Sequence, residues 1–473
     1  MSFARQAMPE ITDLNPAPQA RSKNRNCVIV IGASMAGLAA ARVLSDHYCE
    51  VILVERDQIE RVPGHRRGVP QDWHVHGLLA SGRTIWERLF PGLFEDLVRA
   101  GAVKGDISRD AHWWFEGGEH VRCESGLEGV LVSRPLLEGM IRERVRNLPN
   151  VHFRDCCHVK GLAAKFNDAS HITGVRLEGG GLFADLVVDA TGRGSRSPQW
   201  LAALGYEAPR QERVEVNIGY TTRQFRRARH HLNGALLASI AATPQTRRSG
   251  FILAQENDRW IVSLNCYGEQ PPADLAEFIE FAKALPAPYI YDVISEAEPI
   301  GEAHRTCFPA NVRNRYELLH RFPKGYLVVG DAISCFNPVY GQGMSVAAME
   351  AVELDRALRA NCTNLAETFF EQASKVVDTA WSMTAGNDLR MPGVVGERST
   401  ISRLLNWYVG ELHVSAQSDP TLVIAFQNVM NLLKDPQSLR DWSLARRVLY
   451  GAFVRRAATK KASRLEAAAR AAF

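Results

Sequence analysis

The chain has 473 residues, 46% of them hydrophobic and 23% charged, with a formal net charge of +4. That length suits about three domain-sized units, and so small a basic excess gives no reason to expect a nucleic-acid partner. No stretch approaches the roughly 18 consecutive apolar residues of a membrane span.

Residues 1–25 are polar and proline-bearing and lack the apolar run of a secretory signal. We expect a disordered tail there and a cytoplasmic protein. Nine cysteines without Cys-x-x-Cys spacing fit reduced thiols better than a disulfide frame or a zinc site. The adjacent pair Cys156-Cys157 is expected on a strand.

Residues 27–31, CVIVI, form the wholly apolar run of a buried parallel strand. Gly32-Ala33-Ser34-Met35-Ala36-Gly37 follows, then an alanine-rich helix and a strand, EVILVE, that ends at Glu55 beside Arg56. This is a dinucleotide-binding fingerprint with its acid about 20 residues beyond the glycines. Gly32 allows the tight turn, and Ser34 is small enough for backbone to approach a pyrophosphate. Gly37 lets the helix lie on the sheet, and the helix start at Met35 and Ala36 offers N–H groups to phosphates. Glu55 can accept from both ribose hydroxyls, and it would repel a 2′-phosphate. Ser34 departs from the usual middle glycine. At this point FAD and NAD are both open.

The loop RRGVPQDWHVHGLL (66–79) carries Arg66, Arg67, His74 and His76. His-x-His invites a metal, but no further ligand cluster accompanies it and none is expected. His76 is either a flavin contact or part of a histidine pair satisfied by backbone. HWWFEGGEHVRCE (112–124) has the turn glycines of a hairpin, and Arg134 starts a helix with Pro135 in its first turn. Arg134 could hold a phosphate or the flavin edge, or simply cap. LFADLVVDATGRGSRS (182–197) runs from a strand into Thr191-Gly192, whose small size permits close backbone approach.

VEVNIGYTTRQF (214–225), SGFILAQ and RWIVSLNCYG read as strands of an antiparallel sheet. Strict alternation would put Val214, Val216, Ile218, Tyr220 and Thr222 on one face, with Tyr220 either lining a pocket or packing in the core. PPADLAEFIEFAKALPAP (271–288) reads as a helix bounded by prolines.

A second signature follows the strand GYLVV: GDAISCFNPVYGQGMS (330–345), then a helical pattern. Asp331 stands at the strand's C-terminal end, where ligands of open α/β sheets bind. Pro338, Gly341, Gln342, Gly343 and Met344 shape a loop whose N–H groups can face a ligand at the helix start. NAD needs no second signature of this kind. FAD does, because its ribityl hydroxyls suit a carboxylate and its reduced ring carries negative charge that a helix N-terminus favours.

With these motifs in hand, the chain resembles the aromatic-hydroxylase-like superfamily of FAD-dependent monooxygenases, and within it the flavin epoxidases of polyether antibiotic biosynthesis. The resemblance rests on GASMAG (32–37), RRGVPQDWHVHGLL (66–79), SRPLLEG (133–139), VVDATGRGSRS (187–197), GYTTRQFR (219–226), RWIVSL (259–264) and GDAISCFNPVYGQGMS (330–345). It implies that Glu55 holds the adenosine ribose, that a main-chain contact to adenine lies near Val159, and that Arg134 contacts FAD. It further implies that Arg66 or Arg67 reaches the pyrophosphate, that Asp331 binds the ribityl or pyrophosphate region, and that Pro338 to Met344 lie beside the ring. In such enzymes reduced FAD and O2 form a C4a-hydroperoxide that transfers one oxygen atom to a small organic substrate. The WxWxIP stretch of tryptophan halogenases is missing from this sequence.

The expected fold is α/β. A Rossmann-like, three-layer FAD domain with a parallel sheet (26–110, 125–205 and 310–365) carries an inserted antiparallel substrate domain (111–124 and 206–309), followed by a helical region (366–473). The expected activity is epoxidation or hydroxylation of an apolar small molecule in secondary metabolism. Electrons come from NAD(P)H or a partner flavin reductase. The alternatives are a reductase of isoprenoid double bonds on the same fold, and a non-enzymatic flavin-binding protein. The last segment is basic with apolar residues at helical spacing. It is either a membrane-surface or partner helix, or a terminal helix packed on its own domain.

Overall fold

The computed structural model describes the backbone of residues 25–397 and 400–471, and the side chains of 25–397 and 403–456. The expected tail lies, apart from Arg25, outside the described residues.

Five parallel strands form one sheet, in the order Tyr326–Val328, Leu186–Asp189, Arg25–Ile31, Tyr48–Val54 and Val151–Arg154. Val28, Ile29, Val30, Val187 and Val188 are fully buried, as strands covered on both faces require. Ile31 stands level with Asp189 and Val54, and Asp189 with Val328. Residues 32–37, 55–56, 190–194 and 329–331 therefore all leave the sheet along one edge. A three-stranded antiparallel sheet (Val159–Lys165, Asp168–Leu177, Gly180–Phe183) adds Leu162, Ile172 and Val175 to the same core. Helices Met35–Leu44, Arg134–Arg146 and Gly343–Arg359 pack Leu38, Leu137 and Val346 on this core.

The second sheet has eight strands, in the order Ser334–Cys335, Pro299–Arg315, Arg210–Arg226, Arg259–Tyr267, Arg248–Gln255, Leu237–Ile240, Ala111–Phe115 and Gly118–Glu119. The pairing is antiparallel except between Leu237–Ile240 and Ala111–Phe115, which run parallel. Val214, Val216, Ile218 and Tyr220 share one buried cluster, as the expected alternation requires, with Glu215 and Asn217 exposed between them. A bulge between Glu215 and Ile218, with Asn217 at φ 44°, resets the register, and Ile218 to Thr222 are all buried. Cys156 and Cys157, expected on a strand, lie between two strands instead, and Cys156 makes the turn. It takes a positive φ of 52° just past Arg154.

Helices dominate after residue 364: Leu365–Asp388, Thr400–Ala416, Pro420–Met430 and Trp442–Ala471. The last three enclose an apolar cluster of Leu412, Leu422, Val423 and Val448. The ring of His413 stacks on Phe115 at 4.5 Å and meets His120 at 3.1 Å. The 111–119 hairpin is thereby packed onto this helical layer.

Candidate cofactor-binding site

A cavity of about 420 Å³ runs along the shared strand edge. Its walls come from the first glycine turn, the end of the second strand, the 68–77 loop, Val159, the 190–196 turn and the 335–344 loop. Gly32 adopts φ +102°, and a Cβ there would lie 2.7 Å from the Ala190 carbonyl oxygen. The turn is thus held open to the cavity by a residue without a side chain. Ser34 caps the following helix without a side-chain hydrogen bond to it, so the helix start keeps donors for an anion.

Beneath that turn lies a buried charge cluster. Glu138 Oε2 accepts from Ser34 Oγ at 2.8 Å and from Arg134 Nε and Nη2 at 3.0 and 2.9 Å. Its Oε1 takes Arg66 Nη1 at 2.9 Å and Arg142 Nη2 at 2.6 Å. Burial raises the Glu138 pKa, but Arg134, Arg142 and Arg66 together hold it down at about 2. Arg66 Nη2 also pairs with Glu55 Oε2 at 2.7 Å. Three guanidiniums thus meet Glu138 and Glu55, and Asp57 stands 3.7 Å from Arg66 as a third carboxylate beside the glycine turn. Ser34, the departure from the glycine pattern, has a positive role here, because its Oγ also accepts from Arg134 Nη2 at 3.1 Å.

Glu55 lines the cavity, yet its oxygens are already engaged. Oε2 accepts the Ala33 N–H, and Oε1 accepts those of Arg56 and Asp57. With Arg66 added, a ribose reaching this carboxylate has to exchange partners.

The far end is built round Asp331, Arg193 and the glycine loop. Asp331 lines the cavity, and burial pushes its carboxyl up, against Arg193 and Arg134. Among the described residues nothing donates a hydrogen bond to it, which suits a polyol ligand. Gly192 takes φ +70° with its missing Cβ 3.8 Å from Asp331, and the Gly343 position lies 3.5 Å from Asp331 Oδ1. His76 Nδ1 donates to the His74 carbonyl at 2.9 Å, which leaves Nε2 as an acceptor. Burial and Arg134 push this imidazole down to about 3, so it is neutral.

The 337–342 loop is clamped from behind by the helix Leu365–Asp388. Asp388 is fully buried and accepts from Tyr267 Oη, Tyr340 Oη and Asn337 Nδ2 at 2.9, 2.8 and 3.0 Å, and from Asn311 Nδ2 at 2.7 Å. Burial raises its pKa and the four donors oppose the rise. Thr384 Oγ1 adds a 2.8 Å bond to Gln342 Oε1. Both ends of the loop are fixed this way, while Gly341, at φ +65°, makes the turn between them.

Of the residues named from sequence, Gly32, Ser34, Met35, Ala36, Glu55, Arg56, His76, Arg134, Val159, Thr191, Gly192, Asp331, Pro338, Gly341, Gln342, Gly343 and Met344 line this one cavity. Gly37 does not. A Cβ there would fall 1.8 Å from the Gly32 carbonyl oxygen, so it serves helix packing. Arg67 is exposed and faces a neighbouring surface cavity, and Arg66 takes the inner position. Tyr220 is buried in a core cluster with Ile218 and Phe308, edge-on to His74 at 5.4 Å. Glu138 and Asp388 were not foreseen. Glu138 had a weak signal, since it stands four residues from both Arg134 and Arg142 on one helix. Asp388 had none.

One group among the described residues, His230, His231 and Glu296, has ligand-like spacing. Trp260 Nε1 and the Ala228 N–H both donate to His231 Nδ1, at 2.9 and 3.1 Å. The proton is therefore on Nε2, which faces Glu296 at 3.2 Å, and that nitrogen has no lone pair to offer a metal.

A family model described as FAD binding domain matches residues 25–377. The chain belongs to this family. It is therefore an FAD-binding flavoprotein, and the cavity's glycine turn, its Arg66 and Arg134 side chains and the undonated Asp331 fit that cofactor. Protein Rv3254 of Mycobacterium tuberculosis (strain ATCC 25618 / H37Rv) is 34% identical over 434 residues, covering 86% of this chain and 89% of that one. Among solved structures, the flavin-dependent brominase Bmp2 superposes with a TM-score of 0.63 at 14% identity, over 92% of this chain and 98% of that one. PqsL, a probable FAD-dependent monooxygenase from Pseudomonas aeruginosa, gives 0.56 at 17% identity, over 84% and 98%. The fold is thus one found among flavin-dependent monooxygenases and halogenases. Among the described residues no helix is long and apolar enough to cross a membrane.

Proposed function

We propose that the chain is an FAD-dependent monooxygenase that inserts one oxygen atom of O2 into a small apolar compound, by epoxidation or hydroxylation. The observation that carries this reading is one cavity that runs from the Gly32 turn, beside Arg66 and Arg134, to the clamped glycine loop at 338–344. Arg134 and the helix start at Met35 hold the diphosphate, Val159 meets adenine through its main chain, and Asp331 receives the ribityl hydroxyls. Thr191, Gly192 and residues Pro338 to Met344 pack against the ring end. When bound and reduced, FAD supplies the activation of oxygen. The chain's own task is to orient and to exclude water, which needs no acid–base triad.

Phe308, Phe336, Trp200 and Met344 line the cavity and make part of its wall apolar, which supports an apolar substrate. His76, neutral with a free Nε2, can accept a proton-bearing group of cofactor or substrate. The electrons come from NAD(P)H or a partner reductase. The test is reconstitution with FAD, followed by oxygen uptake and 18O incorporation across a panel of alkenes and phenols. One labelled atom per product is expected. Turnover that continues without oxygen would make the chain a reductase, and a colourless protein that refuses FAD would end both readings.

A further inference from the structure

The outer face of the terminal helix Trp442–Ala471 has no role in the cavity. Its inner face packs Leu444, Val448 and Ala452 on the neighbouring helices. The opposite face presents Trp442, Tyr450 and Phe453, which are 77%, 69% and 70% exposed, together with Leu449. Leu404 and Trp407 of the helix Thr400–Ala416 extend this apolar area, and the Arg456 guanidinium, 5.8 Å from the Trp407 ring, joins the two helices. So many large exposed apolar groups on one face mark a surface that something covers.

The arginines decide what. Arg447 and Arg455 are turned to acidic partners within the chain, Asp419 at 2.8 Å and Glu411 at 2.5 Å. Arg446 and Arg456 are exposed and pair with no carboxylate among the described residues. Residues 442–471 carry Lys460, Lys461 and Arg464 further on, with Glu466 as the only acid. A second copy docked face to face would bring Arg446 and Arg456 against their own images. An anionic bilayer surface meets both features, taking aromatic rings at headgroup depth and guanidiniums on phosphates.

We propose that this face docks the protein on anionic phospholipid, with the helix lying in the interface and not spanning it. The cavity reading is independent of this claim. The experiment is flotation of the full-length FAD-loaded protein with mixed phosphatidylglycerol–phosphatidylcholine vesicles and with pure phosphatidylcholine vesicles. At least about a tenfold preference for the anionic vesicles is expected, weakening with salt. The variants W442S/F453S and R446E/R456E should each lower that partition about tenfold while keeping the flavin absorbance, which reports an intact fold. Equal binding to both vesicle types, or none, overturns the proposal. So does a dimer in solution that W442S/F453S converts to monomer, because the face would then belong to a second copy.

Discussion

At the phosphate end of the cavity, Arg66, Arg134 and Arg142 surround Glu138 and Glu55. At the ring end, Asp388 alone takes two tyrosine hydroxyls and two asparagine amides. The first arrangement exchanges formal charges in a buried place, and the second surrounds one carboxylate with dipoles. Buried ion networks gain little over apolar packing but lose heavily when one partner goes. A carboxylate solvated by neutral donors positions its neighbours with less at stake in any single bond. On the proposed reading, one end secures a doubly charged diphosphate, and the other sets the geometry of a loop.

The largest expected effect that would break this comparison is Glu138→Ala. Three guanidiniums then lie buried with Glu55 and the more distant Asp57 as their carboxylates, both on Arg66, and the loss should reach about 3–5 kcal/mol in urea unfolding, with FAD no longer retained. A loss below about 1 kcal/mol would mean the cluster is well solvated.

Acid should separate the two ends next. Glu138 is depressed from 4.5 to about 2 on folding, so the unfolded chain binds more protons between those values. Its contribution is complete above about pH 4.5 and fades as pH falls toward 2, on the order of 3 kcal/mol in all. Asp388 is raised on folding, so its ionisation disfavours the native state as pH climbs above its unfolded value. Unfolding curves at pH 5 and pH 3 should show wild type losing more stability than Glu138→Gln, and Asp388→Asn losing more than wild type.

A smaller effect is expected from Asp388→Asn on the cofactor itself. The amide keeps the shape but loses acceptor capacity, which loosens Asn337 and Tyr340. FAD affinity by fluorescence titration should fall about tenfold, roughly 1.4 kcal/mol, with a shifted visible flavin spectrum. An unchanged spectrum would reduce Asp388 to a packing role. The smallest effect is expected from Ser34→Gly, which restores the common pattern. It removes one bond to Glu138 and one from Arg134, about 1 kcal/mol of stability by thermal melt, while FAD still binds.

The parts of this site that were legible from sequence are those in which neighbours along the chain also meet in space. Gly32, Ser34 and Met35 form one turn and one helix start, and Glu55 ends the adjoining strand. Asp331 and the glycines at 341 and 343 share one loop, so their spacing alone carries the signal. Glu138 meets Ser34 across 104 residues and Asp388 meets Tyr267 across 121, and no local pattern announces such pairs. The α/β class was readable from the strand runs. The bulge at Asn217 was not, because a single unpaired residue leaves the alternation of VEVNIGYTT unchanged on paper. Arg66 and Arg67 stayed interchangeable, because two adjacent arginines cannot be told apart until the loop is folded.

Arg66 is an internal counter-ion shared by Glu55 and Glu138. On the proposed reading, in which Glu55 takes the ribose, loading is a swap of partners, with the guanidinium turning to the phosphates as hydroxyls take its place. Such an exchange would make uptake slower than collision allows. A stopped-flow trace of the apoprotein with FAD should therefore show a phase whose rate levels off at high coenzyme, and Arg66→Ala should abolish that plateau.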